Sequence, residues 1–413
     1  MSMFGERRFE RFADALKQRA RLPLRVRLWN GRAFDLGDFS GEPRATIVVP
    51  QARGLRYLLR PTLANMGAAY VEGYFDIEGS LADLIDAAWS LSATALQPVG
   101  RLGRVARAWM HNRAQDKRDI AYHYDVGNDF YRLWLDEQMV YSCAYFPRGD
   151  ESLDAAQIAK LDHILTKLRV APGERFLDIG CGWGALAIRA AQHYGAIAHG
   201  ITLSQEQCAY ARERVRALGL ADRVTIELRD YRDMPDSAIG QYDKIASIGM
   251  FEHVGLRNLA KFFGIVRDLL RDGGVALLHG ITSTDWQDGE TPFGGGEFIH
   301  RYVFPHGELL HIGTVLREMQ CGGLEAHDVE NLRRHYARTL SIWSERLERN
   351  AETARALVGE RRFRIWRVYL AGCARAFEVD WIAIHQILAC KAGGGALNAL
   401  PMSRAWQYER TAA

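Results

Sequence analysis

Apolar and polar positions follow two rhythms along this chain, and the change of rhythm divides it. From Phe9 the apolar residues Phe9, Phe12, Ala13 and Leu16 recur at i, i+3, i+4 and i+7 with arginines between them, a period that predicts a basic amphipathic helix. Leu24, Val26 and Leu28 then alternate with Arg25 and Arg27, and Asn30-Gly31 supplies a two-residue turn before residues 33–36, which predicts a β-hairpin. A strand at Ala45–Val49 and helical stretches near 55–70 and 80–96 complete a small α+β domain over residues 1–97. Residues 98–120 read as a basic linker, and 121–413 as the main domain.

After Asp154 the rhythm changes. A helical pattern (Ile158, Leu161, Ile164, Leu165, Leu168) leads into a strand at Arg175–Ile179, followed by strands at 197–201, Val224–Leu228, Tyr242–Ile248 and 275–278, with helical patterns between them. Strand and helix alternating through short links predict an α/β fold, a doubly wound parallel sheet. Residues 281–306 read as loop, with Gly294-Gly295-Gly296 suggesting a flap. Long amphipathic helices at 335–358 and 360–377 and the stretch 380–389 close the chain.

Composition narrows the class. With 48% hydrophobic and 25% charged residues among 413, disorder is not expected. The net charge of +3 excludes a bulk polybasic protein, and the basic clusters at 7–21 and 101–118 suit either nucleic acid or an anionic lipid surface. The six cysteines show no ligand-like spacing, so neither a structural metal nor a disulfide framework is expected. No apolar run approaches the roughly 20 residues of a spanning helix. A cytoplasmic protein touching the inner membrane face peripherally is the expectation, with no nucleic-acid partner.

The densest chemical signal is Leu177-Asp178-Ile179-Gly180-Cys181-Gly182-Trp183-Gly184, where the first strand of the main domain turns into a helix. Glycines there let backbone approach a ligand at a helix N-terminus. Asp178 precedes them, and no third glycine falls at the dinucleotide spacing. That suits the ammonium of a methionine moiety better than a pyrophosphate. Residues 200–204 end the second strand, where a ribose would lie, and Asp230-Tyr231 follow the third, where an adenine would lie. The cofactor so described is S-adenosylmethionine.

Five further strings are Ala121-Tyr-His-Tyr-Asp-Val-Gly-Asn-Asp129, Tyr141-Ser-Cys-Ala-Tyr145, Gly249-Met-Phe-Glu-His-Val-Gly255, Leu278-His-Gly-Ile281 and Arg301-Tyr-Val-Phe-Pro305. Together they resemble the cyclopropane-fatty-acyl-phospholipid and cyclopropane-mycolic-acid synthases. Gly67-Ala-Ala-Tyr-Val-Glu-Gly73 is similar to the N-terminal domain of the phospholipid enzymes. The resemblance implies a Rossmann-like class I methyltransferase fold and unsaturated phospholipid acyl chains as substrate; a homodimer is a separate expectation, and the sequence does not fix the oligomeric state. It implies that Tyr141, Ser142, Gly180, Gly182, Thr202, Leu203, Gln207, Asp230 and Tyr231 line the cofactor site beside Asp178. It further implies a bicarbonate ion held by Cys143, Glu252, His279, Ile281 and Tyr336, and singles out Cys373. Gly280 departs from the family, which commonly carries a β-branched residue there, and is expected to loosen the loop holding Ile281.

The chemistry wants these residue types. An alkene is a weak nucleophile and must be held in line with the sulfonium methyl in a dry slot. The resulting carbocation is stabilised by aromatic faces that do not capture it, and a mild base suffices to remove its acidic proton and close a ring. Cys373 reads as a packing residue, since no covalent intermediate is needed. Fatty-acid C-methylation to a methylene or methyl branch, and N-methylation of small amines, remain open alternatives.

Overall fold

The computed structural model describes residues 2–17, 23–59, 62–92, 126–286, 295–305, 307–392 and 400–408. The predicted linker with its whole basic cluster lies outside these, as do residues 121–125 and the tip of the predicted flap. The chain forms two compact units: residues 1–103, 290–305 and 344–379 in one, and 104–289, 306–343 and 380–413 in the other. Two segments expected in the main domain therefore belong to the first unit.

In the first unit, helix α1 (Ser2–Lys17) precedes strands β1 (Leu24–Leu28), β2 (Ala33–Asp35) and β3 (Ala45–Val49), helices α2 (Leu55–Leu58) and α3 (Leu63–Val71), β4 (Asp76–Gly79) and α4 (Leu81–Ser92). The sheet order is β2-β1-β3-β4. The predicted hairpin is present, with Arg25 opposite Asp35 and an ion pair of 2.7 Å between them. Helix α1 carries the predicted stripe, which faces its own domain. Phe9 is 1% exposed, its ring edge-on to Phe34 at 5.6 Å, and Ala13 and Leu16 join the same core. The apolar stripe of α1 is thus buried within its own domain, with no apolar surface of Phe9 left exposed. The arginines Arg7, Arg8 and Arg11 remain exposed.

The second unit runs through α5 (Asn128–Arg132), α6 (Leu153–Lys167), β5 (Arg175–Ile179), α7 (Ala185–Tyr194), β6 (Ile197–Thr202), α8 (Gln205–Ala217), β7 (Val224–Leu228), β8 (Tyr242–Ile248), α9 (Leu256–Leu269) and β9 (Leu270–Ser283). Helix α10 (Gly295–Tyr302) falls in the first unit. It lies where loop was expected: Phe298 packs so closely on α3 that a Cβ at Gly67 would fall 2.6 Å from its ring. Helix α11 (Ile312–Cys321), β10 (Leu324–Asn331), α12 (Arg333–Arg349), α13 (Ala351–Glu378) and β11 (Ile382–Lys391) follow. The expected boundary between the last two long helices survives as a non-helical residue, Gly359, inside α13. Within the first unit α13 is fastened by Arg364, which donates to the Tyr70 carbonyl at 2.9 Å and pairs with Asp76 at 3.1 Å.

The large sheet has the order β10-β11-β9-β8-β5-β6-β7. Strands β7, β6, β5, β8 and β9 are parallel, as predicted, and β11 adds antiparallel to β9, with β10 antiparallel to β11. Those two strands were not predicted. The order reverses beside β5, so the crevice at the carboxyl ends of β5, β6 and β8 is where this topology places a ligand.

Replacing Phe9 with alanine should cost the first unit about 3–5 kcal/mol. Thermal melts of wild type and F9A check this; an unshifted melt would show that the stripe on α1 is not packed.

Candidate active site

Strand β5 ends in the glycine turn. Gly180, Gly182 and Gly184 have φ of 82°, 54° and 83°, a region L side chains rarely adopt, and the N–H groups of Gly180 and Cys181 both donate to the Ile201 carbonyl at 2.9 Å. The turn is thus fixed against β6. Asp178, opposite Gly200 of β6 and Ala246 of β8, is 2% exposed; burial pushes its carboxyl up to about 7, while Lys160 pulls it down. Next along the sheet edge, the Thr202 hydroxyl donates to Gln207 Oε1 at 2.9 Å, and Leu203 lies between them in sequence. After β7, the Asp230 carboxylate takes Arg232 in two contacts of 2.9 and 2.6 Å, and the Tyr231 ring stands edge-on to Phe262 at 5.1 Å. The expected cofactor residues therefore follow one sheet edge.

Tyr141 and Ser142 reach this edge from the segment after α5, and a buried lysine secures them. Lys160 on α6 donates to Ser142 Oγ at 2.9 Å. Burial pulls its ammonium down to about 8, opposed by Asp136, Cys143 and Asp178. Tyr141 stands within a cluster of rings: Trp134 and Trp343 both at 5.4 Å and Tyr131 at 5.7 Å. Trp183, from the glycine turn, meets Tyr131 at 5.0 Å, and Tyr336 meets Trp343 at 6.1 Å. One aromatic floor thus joins Tyr141 of the expected cofactor set to Tyr336 of the expected anion set.

The five anion positions form three groupings. Cys143 is fully buried, its thiol donating to the Ala144 carbonyl at 3.2 Å and lying 3.8 Å from the Leu332 carbonyl. That same carbonyl accepts from the Tyr336 N–H at 3.0 Å, which brings Cys143 to the turn carrying Tyr336. Burial drives the thiol far above its ordinary range. Glu252 forms the second grouping with Ile281, whose N–H donates to Oε1 at 3.4 Å. Burial pushes this carboxyl up to about 7, and Oε2 is buried with no partner. His279 forms the third, fully buried beside Gln386, with Nε2 unpartnered and its basicity suppressed by burial and by Lys160 and Lys167.

Alternation along β9 sends the His279 side chain to one face. Next in the strand, a Cβ at Gly280 would fall 2.7 Å from Glu252 Oε2 and 2.5 Å from the Phe251 ring. The expected loosening at Gly280 is corrected. Residues 279–281 are strand, paired to β11 from Val275 to Ser283, and Phe251 and Glu252 fill the volume a β-branched residue would take. Cys373 belongs to the first unit, on α13; burial pushes its thiol up to about 12, so it is no nucleophile at neutral pH.

Sequence reasoning passed over Lys160, Lys167, Gln386, Trp134 and Trp343. One signal was available: Gln157, Lys160 and Lys167 share a face of α6 with Ile164, at i, i+3, i+7 and i+10. A polar stripe on the buried side of a helix needs partners.

Comparison with known proteins decides the family. The family model described as mycolic acid cyclopropane synthetase matches residues 111–387. The chain belongs to that family. A model described as a domain of unknown function (DUF7884) matches residues 11–98. A probable fatty acid methyltransferase of Pseudomonas putida is 46% identical over 391 residues, 95% of this chain and 98% of that one. The cyclopropane-fatty-acyl-phospholipid synthase of Escherichia coli K12 is 38% identical over 304 residues, 73% of this chain and 75% of that one. The crystal structure of mycolic acid cyclopropane synthase CmaA1 complexed with SAH and CTAB is 36% identical and superposes with a TM-score of 0.63 over 67% of this chain and 98% of that chain. This family member is an S-adenosylmethionine-dependent, lipid-modifying methyltransferase with the class I fold.

The raised carboxyl of Asp178 gives a test with a defined sign. A folded value above the unfolded one near 4 means stability present at low pH and lost as pH rises through about 7. Asp178→Asn should therefore raise the melting temperature of the ligand-free protein at pH 8 relative to wild type, while weakening S-adenosylmethionine binding by roughly tenfold or more. Wild-type affinity should also fall as pH drops below about 7, because the cofactor's ammonium meets a protonated acid. Calorimetric titration at pH 6, 7 and 8 and paired melts check both.

Proposed function

We propose that this enzyme methylates a cis double bond of an unsaturated phospholipid acyl chain and closes a cyclopropane ring, with bicarbonate as the base. The observation that carries the reading is the pair of unanswered buried atoms, Glu252 Oε2 and His279 Nε2. One can accept a hydrogen bond and the other, on a neutral imidazole, can donate. Bicarbonate has both complements, a hydroxyl and an anionic oxygen pair. Cys143, Glu252, His279, Ile281 and Tyr336 would hold it, and when bound it supplies a base mild enough to coexist with an alkylating cofactor.

S-adenosylmethionine supplies an electrophilic methyl group. Asp178 would answer its ammonium, the backbone at Gly180 and Gly182 would admit the methionine portion, Thr202, Leu203 and Gln207 would line the ribose, and Asp230 and Tyr231 the adenine, with Tyr141 and Ser142 in front. The faces of Tyr141, Trp134, Trp343 and Tyr336 suit a developing carbocation, since a π-face stabilises positive charge without bonding to it. Cys143, which could capture such a cation, is held as an inert thiol by burial.

A methyl- or methylene-branched product is the second reading, favoured by the name of the Pseudomonas putida relative. Both share the methylated cation: loss of a methyl proton with ring closure gives the cyclopropane, loss of the proton on the methylated carbon gives a methyl-branched alkene, and a 1,2-hydride shift followed by loss of a methyl proton gives the methylene branch. The exposed Arg7, Arg8 and Arg11 support peripheral contact with anionic lipid at the inner membrane face, on the order of 1 kcal/mol each; a cytoplasmic homodimer without nucleic-acid partners completes the reading.

Lipid extracts from cells expressing the protein should show unsaturated phospholipids gaining one CH2, with cyclopropane protons by NMR; exomethylene or methyl-branch signals instead select the second reading. Glu252→Gln should abolish turnover while leaving S-adenosylmethionine affinity within about twofold. Activity should fall in carbonate-depleted buffer, and full activity there removes bicarbonate from the mechanism.

A further inference from the structure

His279 is at the end of a buried chain of groups whose polarity is dictated from its far end. Glu330 on β10 is held ionised at about 2, against the opposing effect of its burial, by His163 and Lys167, with Lys167 Nζ 2.5 Å and His163 Nε2 2.8 Å from its Oε2. Lys167 Nζ also lies 3.1 Å from the side-chain oxygen of Gln386. An ammonium only donates, so the Gln386 amide must turn its oxygen toward Lys167 and its NH2 the other way. On that other side, 3.5 Å from the amide nitrogen, is His279 Nδ1. An NH2 group cannot accept, so Nδ1 must be bare. A neutral imidazole with a bare Nδ1 carries its proton on Nε2, the atom left without a partner.

We propose that Lys167 and Gln386 are positioning residues that lock His279 as the Nε2–H tautomer, so that the ring presents a donor, and never an acceptor, at Nε2. Both are fully buried, at 1% and 0% exposure, and the β9–β11 register sets Gln386 directly opposite His279. A solvent-facing glutamine would flip freely. This one is oriented by a cation that is itself tied to Glu330. The proposal deepens the reading above, in which His279 donates to bicarbonate, and rests on that reading only for its catalytic consequence.

The test is NMR of the full chain with 15N-labelled histidine, the His279 signals being assigned among the 13 histidines by comparison with His279→Gln. Wild type should show a proton on Nε2 and none on Nδ1. Lys167→Arg, which still only donates, should keep that pattern. Lys167→Met frees the amide to flip, and Gln386→Glu replaces the NH2 with an acceptor, so in both a proton should appear on Nδ1. These two variants should lose roughly 10- to 100-fold in kcat with S-adenosylmethionine affinity within about twofold, whereas Lys167→Arg stays near wild type. A proton on Nδ1 in wild type overturns the proposal, and that spectrum decides even if a variant fails to fold. Nδ1 remaining bare in both Lys167→Met and Gln386→Glu overturns it equally. An Nε2–H wild type whose activity ignores bicarbonate would uphold the lock and remove the bicarbonate reading.

Discussion

Lys160 is only 2% exposed, with its ammonium hydrogen-bonded to Ser142, and a cation so placed destabilises the fold unless anions answer it. Asp136 and Asp178 are those anions. The arrangement couples three parts of the chain that are distant in sequence. Asp136 also accepts from the N–H groups of Gln138 and Val140, which shapes the segment delivering Tyr141 and Ser142. Asp178 stands at the head of the glycine turn. The same lysine therefore positions the segment in front of the cofactor crevice and tempers the carboxylate beneath it.

That balance is incomplete. One ammonium shared among Asp136, Asp178 and the hydroxyl of Ser142 leaves Asp178 only partly compensated, which is why burial still raises its carboxyl to about 7. Glu252 is in the same condition with no cation beside it. Sites that hold desolvated acids trade stability for affinity, because the missing partner is the ligand. In the first unit the buried cation Arg367 finds Glu348 and the Tyr70 hydroxyl within its own unit.

Much of this was legible in the sequence because it is local. The period-2 pattern of β1, the Asn30-Gly31 turn, and the strand–glycine–helix junction after β5 are specified by neighbouring residues, and each formed where expected. The misses are non-local. Strand β11 is buried along nearly its whole length, so it carries no alternation to distinguish it from a helical segment, and its antiparallel place beside β9 depends on residues a hundred positions away. The same holds for Gln386, whose significance appears only when Lys167 and His279 flank it. The stripe on α1 gave the right element and could not say what it faces, since a membrane and a protein core ask for the same period.

Gly280 of β9 is closely enclosed by its neighbours. A β-branched residue at that point of β9 would occupy the volume now filled by one edge of the Phe251 ring and by Glu252 Oε2. Removing the side chain did not leave a void, because Phe251 packs into the space as part of the hydrophobic cluster beneath the sheet, and close packing of that kind resists an empty cavity. The carboxylate of Glu252 moves with it, since the two residues share one short helical turn, Phe251–His253. The position of the expected base-holding acid is thus set by what residue 280 lacks. In this chain the absence of a side chain at residue 280 leaves the volume in which Glu252 Oε2 and the edge of the Phe251 ring are seated.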